Sequence, residues 1–419
     1  MPPGSHLFVV DKYSLPVHAD RLFCGVKHPL SRSNQYGVYA DLLATRPGDF
    51  VFFYQRRVDE LPYDRGFRGI FRVTGPPFVD RTTIDSGGNQ VLGECPSCHE
   101  LFSEKAPRGD EGSSQRLCPK CHAELDATKH ILPNRLPLEL VTHYERPVDD
   151  NSAYIDRTDP GSLWTLIFRK QFGAGRERSI NHILPEEAEK IRRLLIRSNP
   201  GDPPPLPKGF PRGYPVTPRM PLPFALPKEA PFTAESALYA WLNQNVDSDD
   251  KTLRSVLGPA RNMEYFGNQV LYGIGGDTAD YIVLHSKGAG ESQSLDTTSS
   301  SGYDKSVVDQ GGRFAVTVIE IKKDAVDLDT LEQVDRYAYY VGQVASANCL
   351  PAPPKSLLVR PILLGFNADP GLLSALKGRK ERQIFLSYPG GDATMAVVVP
   401  PKVLTYDASA SGLGLTRLV

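Results

Sequence analysis

Three observations predict a multidomain chain of α+β and α/β class. Prolines recur every few residues between 198 and 232, from Pro200, Pro203, Pro204 and Pro205 to Pro227 and Pro231. A segment interrupted so often sustains neither a helix nor a central strand, so a semi-rigid extended linker is expected there. Before it lie many short apolar runs with few helical patterns, the signature of a small α+β barrel. After it, strands alternate with two long helical patterns, which predicts a mixed α/β sheet. A length of 419 residues agrees with two or three domains. The expected boundaries are 1–197, the linker 198–232, and 233–419.

Hydrophobic content of 40% and charged content of 23% give ample material for real cores. Net charge is -1, so attraction to a polyanion has to come from local patches. Arg56, Arg57, Arg65, Arg68 and Arg72 form one candidate patch, with a solvated hairpin face as the alternative. No apolar run is long enough for a transmembrane helix, and Met1-Pro2-Pro3-Gly4-Ser5-His6 lacks a signal-peptide pattern, so a cytoplasmic protein without membrane contact is expected. Cys24 and Cys349 stand alone, and the other four cysteines are paired by spacing.

The N-terminal part opens with a strand at 7–10, then a short helix near 18–24 and another at 36–44 that stops at Pro47-Gly48-Asp49. Phe50, Val51, Phe52, Phe53 and Tyr54 read as one strand, residues 69–73 as its neighbour, and 138–141 as a third. Residues 163–168 suit a strand or a helix. Residues 185–197 read as a helix with acids in the first turn and arginines in the last, as the helix dipole favours.

Between these elements stand Cys95-Pro96-Ser97-Cys98 and Cys118-Pro119-Lys120-Cys121. Two Cys-x2-Cys knuckles, 19 residues apart, aim four thiolates at one tetrahedral Zn²⁺. A zinc ribbon is therefore expected at 94–125 as an insertion. It either staples a segment too small for its own core or also touches nucleic acid.

The C-terminal part begins with a helix at 234–245 carrying Leu238, Trp241 and Leu242 on one face and Glu235 near its start. Strands follow at 268–272, 280–285 and 314–322, and the stretch 286–312 between the last two, rich in Ser, Gly, Thr and Asp, reads as a long mobile loop. A helix at 328–341 packs through Leu328, Leu331, Val334, Ala338 and Val341, and strands at 357–364 and 394–399 complete the sheet. On the strand ending at Lys322, Glu320 and Lys322 share a face while Ile319 and Ile321 pack behind. Two acids and a lysine meeting at strand ends can hold a divalent metal and a water against a phosphodiester. Asp280 is the expected partner acid, Asp277 competes for that role, and Glu264 is a weaker supporting acid.

Asp280, Glu320-Ile321-Lys322 and the helical pair Gln333 and Tyr337 together resemble the PD-(D/E)xK nuclease superfamily, in its Gln-x-x-x-Tyr subgroup. The resemblance covers roughly 233–400. It implies a restriction-endonuclease-like fold in which Asp280 and Glu320 ligate catalytic Mg²⁺ and Lys322 orients the attacking water. It further implies that Gln333 and Tyr337 face the site, with Glu235 as the acid on the first helix.

The runs at 48–54 and 69–73, with Leu163-Trp164-Thr165-Leu166-Ile167-Phe168 and Arg178-Ser179-Ile180, look like the EVE/YTH group of the PUA-like superfold over 1–197. That implies a PUA-like β-barrel holding a flipped, modified base by ring stacking and edge hydrogen bonds. Ser33, Asn34, Gln35 and Tyr36 match the pocket positions before the helix, and Tyr54 and Trp164 are further candidates. Tyr39, Phe52 and Phe53 are expected in the core.

Joined, the two resemblances describe a modification-dependent restriction endonuclease. The expected activity is Mg²⁺-dependent cleavage of double-stranded DNA carrying a modified base, with modified cytosine preferred, in phage defence. A homodimer is expected, since one metal centre cuts one strand. Cleavage of modified RNA and a catalytically inactive reader are the alternatives.

Overall fold

The computed structural model describes residues 3–10, 14–26, 32–55, 66–80, 90–94, 101–105, 120–121, 132–149, 152–153, 179–201, 203, 205–215, 219–271, 278–286, 313–347, 356–386, 394–409 and 412–419. The protein is a mixed α+β structure, and its described residues form two eight-stranded sheets and two small two-stranded ones. None of its described helices is long and apolar enough to cross a membrane.

The N-terminal part runs β1 (Ser5–Val10), α1 (Leu15–Arg21), β2 (Phe23–Val26), α2 (Arg32–Leu43), β3 (Phe50–Gln55), β4 (Gly66–Val73) and β5 (Phe78–Val79). The hairpin β6 (Gln90–Glu94) and β7 (Leu101–Lys105) follows, then β8 (Asn134–Thr142), β9 (Ile180–Ile183) and α3 (Pro185–Ser198). The helix expected at 18–24 ends at Arg21, and Cys24 lies in β2 instead, because Leu22 takes a left-handed conformation that stops the helix. α3 starts as its sequence dictates: Pro185 fills the first turn, and Glu187 accepts from the Leu184 amide at 3.0 Å.

These strands form an open sheet in the order β10-β5-β8-β4-β3-β1-β9, with β10 at Met220–Pro221 and β2 paired to β8. The barrel expected from the sequence is therefore not closed among the described residues. Its long strand β8 is shared: Asn134 to Pro137 pair with β2, and Asn134 and Arg135 also with β5, while Leu138 to Thr142 pair with β4; among the described residues β9 bonds β1 alone. Tyr39, Phe52 and Phe53 are buried, as expected of core aromatics.

The C-terminal part begins with α4 (Ser236–Gln244) and α5 (Lys251–Leu257). The antiparallel strands β11 (Met263–Leu271), β12 (Thr278–Ser286) and β13 (Arg313–Ile321) come next, and then the short β14 (Ala325–Val326). A long helix, α6 (Leu328–Ala347), crosses over to β15 (Ser356–Gly365), which lies parallel to β13 as such a crossover requires. The short β16 (Asn367–Ala368), α7 (Pro370–Leu376) and strands β17 (Arg382–Leu386), β18 (Thr394–Val398), β19 (Lys402–Ser409) and β20 (Gly412–Arg417) complete this part. β12 is buried on both faces along almost its whole length, which explains its continuous apolar run.

One core lies between this sheet and α6, built on Ile282, Leu284, Val316, Val318, Val334 and Tyr337. The other lies on the opposite face under α4, built on Tyr281, Val283, Ile319 and Ile321, and it also takes in Tyr36, Tyr39, Ala40 and Ala44 of α2. The N-terminal part is thus packed onto the C-terminal sheet. The Pro-rich segment does not hang free between them. Tyr214 donates to buried Asp80 at 2.5 Å, β10 pairs with β5, and Leu222, Phe224, Leu226 and Ala230 pack on the α4 core. Apolar residues set between the prolines turn the expected spacer into a strap.

Candidate active site

The site forms where the register of three antiparallel strands brings one row of side chains together. Asn268 pairs with Tyr281 and Val270 with Ala279, which sets Gln269 opposite Asp280. Tyr281 pairs with Ile319, so one step further Asp280 comes opposite Glu320. Asp280 is two residues from Ile282 and Glu320 two from Val318, which places both acids on the face covered by α6. Lys322, two residues beyond Glu320, shares that face and donates its Nζ to Glu320 Oε1 at 2.6 Å. Its backbone N–H donates to Leu364 O at 2.8 Å, fixing the strand end to β15.

Asp280 is held at both oxygens. The Ile321 amide donates to Oδ2 at 2.9 Å, and Gln269 Nε2 donates to Oδ1 at 2.7 Å and to the Tyr239 hydroxyl at 3.0 Å. Glu320 is fully buried; its Oε2 accepts no hydrogen bond, and the neighbouring Asp280 carboxylate is within reach of a proton held on Glu320. A buried carboxylate oxygen left unmatched is costly unless something else completes it. Burial and the adjoining charge of Asp280 push the Glu320 carboxyl up, to about 8. Burial also raises Asp280, against the pull of the Ile321 amide. Burial and the Asp280 charge raise Glu235, whose carboxylate accepts from the Lys323 backbone at the start of α4. Burial opposes the charge of Lys322, yet the Glu320 hydrogen bond and charge hold its ammonium above the ordinary value.

From α6, Gln333 donates to the Tyr337 hydroxyl, and burial with the charges of Glu320 and Asp280 raises that phenol to about 12. The structure therefore brings Asp280, Glu320, Lys322, Glu235, Gln333 and Tyr337 to one end of the sheet. Glu264 sits near the opposite end of β11, about 16 Å along the strand from Gln269, and does not join them. Asp277 lies outside the described residues. Two participants carry no sequence mark as functional. Gln269 is one, adopting a left-handed φ of 52° that β-strand residues rarely take. Tyr239 is the other, placed one turn after Glu235, a spacing that any helix face shows and that marks no function by itself.

Among the described residues no three His, Cys, Asp or Glu side chains converge on a metal position, so the candidate centre has two carboxylates. That donor set fits Mg²⁺, which keeps several waters and takes one or two carboxylates. The orphaned Glu320 Oε2 is the buried oxygen such an ion would complete.

The base-pocket candidates are not gathered in the same way. α2 starts at Arg32, so Ser33, Asn34, Gln35 and Tyr36 form its first turn and do not precede it. Asn34 is exposed, while Gln35 donates to the Tyr39 hydroxyl at 2.6 Å. Tyr36 is buried edge-on against Phe224, 6.1 Å between centroids, and Tyr54 is buried against Phe67 in a different core. Both rings are used in packing. The Ser33 side chain, Trp164, Cys95, Cys98 and Cys118 lie outside the described residues, as do Arg56, Arg57, Arg65 and Cys349; Cys121 is exposed.

No protein-family model matches the chain, and no curated protein matches its sequence. Solved structures similar to part of it include a hypothetical protein from Leishmania major, at 14% identity over 47% of this chain and 98% of that one, with a TM-score of 0.27. A protein from Pseudomonas putida matches at 16% identity over 45% and 98% of the two chains, with a TM-score of 0.26. Human THYN1 protein in complex with 5-methylcytosine-containing DNA matches at 13% identity over 48% and 99%, with a TM-score of 0.26. At such TM-scores these likenesses carry no argument, and the functional reading rests on the geometry of this chain.

Proposed function

We propose that the C-terminal part is a Mg²⁺-dependent nuclease centred on Asp280, Glu320 and Lys322, within a modification-dependent DNA endonuclease. The observation that carries this reading is the facing pair Asp280 and Glu320 at a strand end, with an unmatched buried oxygen and a lysine alongside. Bound Mg²⁺ would supply charge stabilisation at the phosphate oxygens. Asp280 and Glu320 would hold it, with the Ile321 carbonyl as a further ligand. Lys322, tethered to Glu320, is positioned to orient a water and steady negative charge. Gln333 and Tyr337 line the same end from α6 and present an amide and a phenol to a substrate.

The N-terminal part is proposed as the reader that selects a modified base in double-stranded DNA, with modified cytosine preferred. Asn34 and Gln35 are the more accessible pocket candidates, since Tyr36 and Tyr54 are committed to packing. Cys95, Cys98, Cys118 and Cys121 are proposed to hold a structural Zn²⁺ on the strength of their spacing. Two copies would act together to cut both strands.

The test incubates the protein and Glu320→Ala with Mg²⁺ and matched DNA and RNA, each unmodified or carrying 5-methylcytosine, 5-hydroxymethylcytosine or N6-methyladenine. Cleavage confined to a modified DNA and lost in the variant is expected. Cutting by the variant removes the catalytic assignment, equal cutting of unmodified DNA removes the reader, and cleavage of RNA alone changes the substrate.

A further inference from the structure

Asn243 on α4 is fully buried, and its side-chain amide is completely used. Its Nδ2 donates to Ala40 O of α2 at 2.8 Å and to Asn268 Oδ1 of β11 at 3.1 Å, while its Oδ1 accepts from the Tyr281 hydroxyl of β12 at 2.8 Å. Asn268 directly precedes Gln269 and Tyr281 directly follows Asp280, and the two are register partners. One amide thus ties together the strand pair that presents Asp280 and the glutamine that clamps it.

The N-terminal part grips this amide from the other side. Arg46, just past the end of α2, donates to the Asn243 backbone carbonyl and to Asp247 Oδ2 at 2.8 Å. It also caps α2 by donating to the carbonyls of Leu43 and of Thr45, the latter at 3.0 Å, groups that a helix end leaves unpaired. The guanidinium lies 5.5 Å from the centroid of the Phe266 ring on β11. Arg46 thus fastens the chain just after α2 to α4, beside the direct bridge that the Asn243 amide makes from Ala40 to Asn268 and Tyr281.

We propose that Asn243 is a positioning residue for Asp280, and that α2, through Ala40 and Arg46, forms part of the support of the cleavage centre. The inference rests on the nuclease reading of Asp280 and Glu320. The physical reason is that a buried polar network with every member paired has a single low-energy arrangement, so displacing one member displaces the rest. α2 is about 18 Å long and carries Ser33 to Tyr36 at one end and the Asn243 contact near the other. A helix spanning both makes the N-terminal part a structural support of the same site rather than a tethered neighbour.

The test uses the full chain and measures Mn²⁺ affinity by calorimetry, alongside thermal unfolding, for wild type, Asn243→Ala, Arg46→Ala and Glu320→Ala. Mn²⁺ affinity in folded Asn243→Ala is expected to fall about tenfold, as it does when groups orienting metal ligands are removed, with a smaller loss in Arg46→Ala. In cleavage, kcat should fall while KM for DNA holds. A lower melting temperature with unchanged Mn²⁺ affinity would mean a merely structural role and overturns the proposal. If Asn243→Ala does not fold, Arg46→Ala decides alone, since its side chain is partly exposed and outside the acid cluster. Wild type that binds no Mn²⁺ in a Glu320-dependent way removes the nuclease reading itself, a result distinct from wild-type binding that the Asn243 and Arg46 variants leave intact.

Discussion

Replacing Glu320 with Gln tests the charge balance of the site independently of its chemistry. Burial and Asp280 hold this carboxyl at about 8, against an ordinary 4.5. Between those pH values the unfolded chain has released a proton that the folded protein keeps. Stability from this group is therefore fully present below about 4.5 and is lost as pH rises through about 8. At pH 7, keeping that proton costs the folded state about 3 kcal/mol. Glutamine keeps an oxygen to accept from Lys322 Nζ but has no proton to retain, so the metal-free variant should be more stable than wild type. At pH 7 folded Glu320 is itself protonated and neutral, so glutamine gives up no carboxylate charge toward Lys322 and the net gain is up to about 3 kcal/mol. Urea unfolding without divalent metal at pH 5, 7 and 8.5 measures it, and the gain should grow with pH. Adding Mg²⁺ should stabilise wild type and not the variant, and cleavage should fall by about a thousandfold or more. A variant less stable than wild type at pH 8.5 would refute the reasoning, because the acids would then not be held together against their own charge.

Three further outcomes follow from other parts of the molecule. Gln269→Ala releases Asp280 Oδ1 and should lower kcat about 10–100-fold with little loss of fold, read by steady-state cleavage and circular dichroism. Burial, with Arg360 and Arg254, pushes buried His285 down to about 4, so its contribution is present above 6.5 and lost as pH falls through about 4. His285→Leu should flatten the acid limb of the stability curve by up to about 3 kcal/mol, measured by urea unfolding from pH 7 to 4. Asp80→Asn removes the charge of the buried pair with Arg135, 3.0 Å apart, leaving the guanidinium uncompensated beside the Tyr214 contact of the strap, and should cost about 3–5 kcal/mol in thermal unfolding.

Much of the C-terminal sheet was legible locally. The strand expected at 280–285 is β12, that at 314–322 is β13, and the helix at 328–341 is the first part of α6, because each carries its own apolar pattern. α5, β17 and the edge hairpin β19–β20 went unread. α5 and β17 are short, and β20 shows no buried face to impose alternation, whereas β19 is largely buried. Within the site, strand period pairs Glu320 with Lys322 and helix period pairs Gln333 with Tyr337, while the family resemblance was what placed the two pairs at one site. Gln269 could not, since its role depends on a left-handed backbone turn and on facing a residue in the next strand.

By itself the sequence determined which segments become strands and helices, that Glu320 and Lys322 share a face, and that a proline-rich stretch separates two parts. Those properties belong to residues a few positions apart, where backbone period and proline chemistry act directly. Only the tertiary structure decided that Asp280 faces Glu320 and leaves one buried oxygen unmatched. It also decided that the proline-rich stretch is a strap, and that α2 of the N-terminal part reaches the acid strands through Asn243. These depend on register and on packing between residues up to some 200 positions apart, such as Ala40 and Asn243, and no local pattern encodes them.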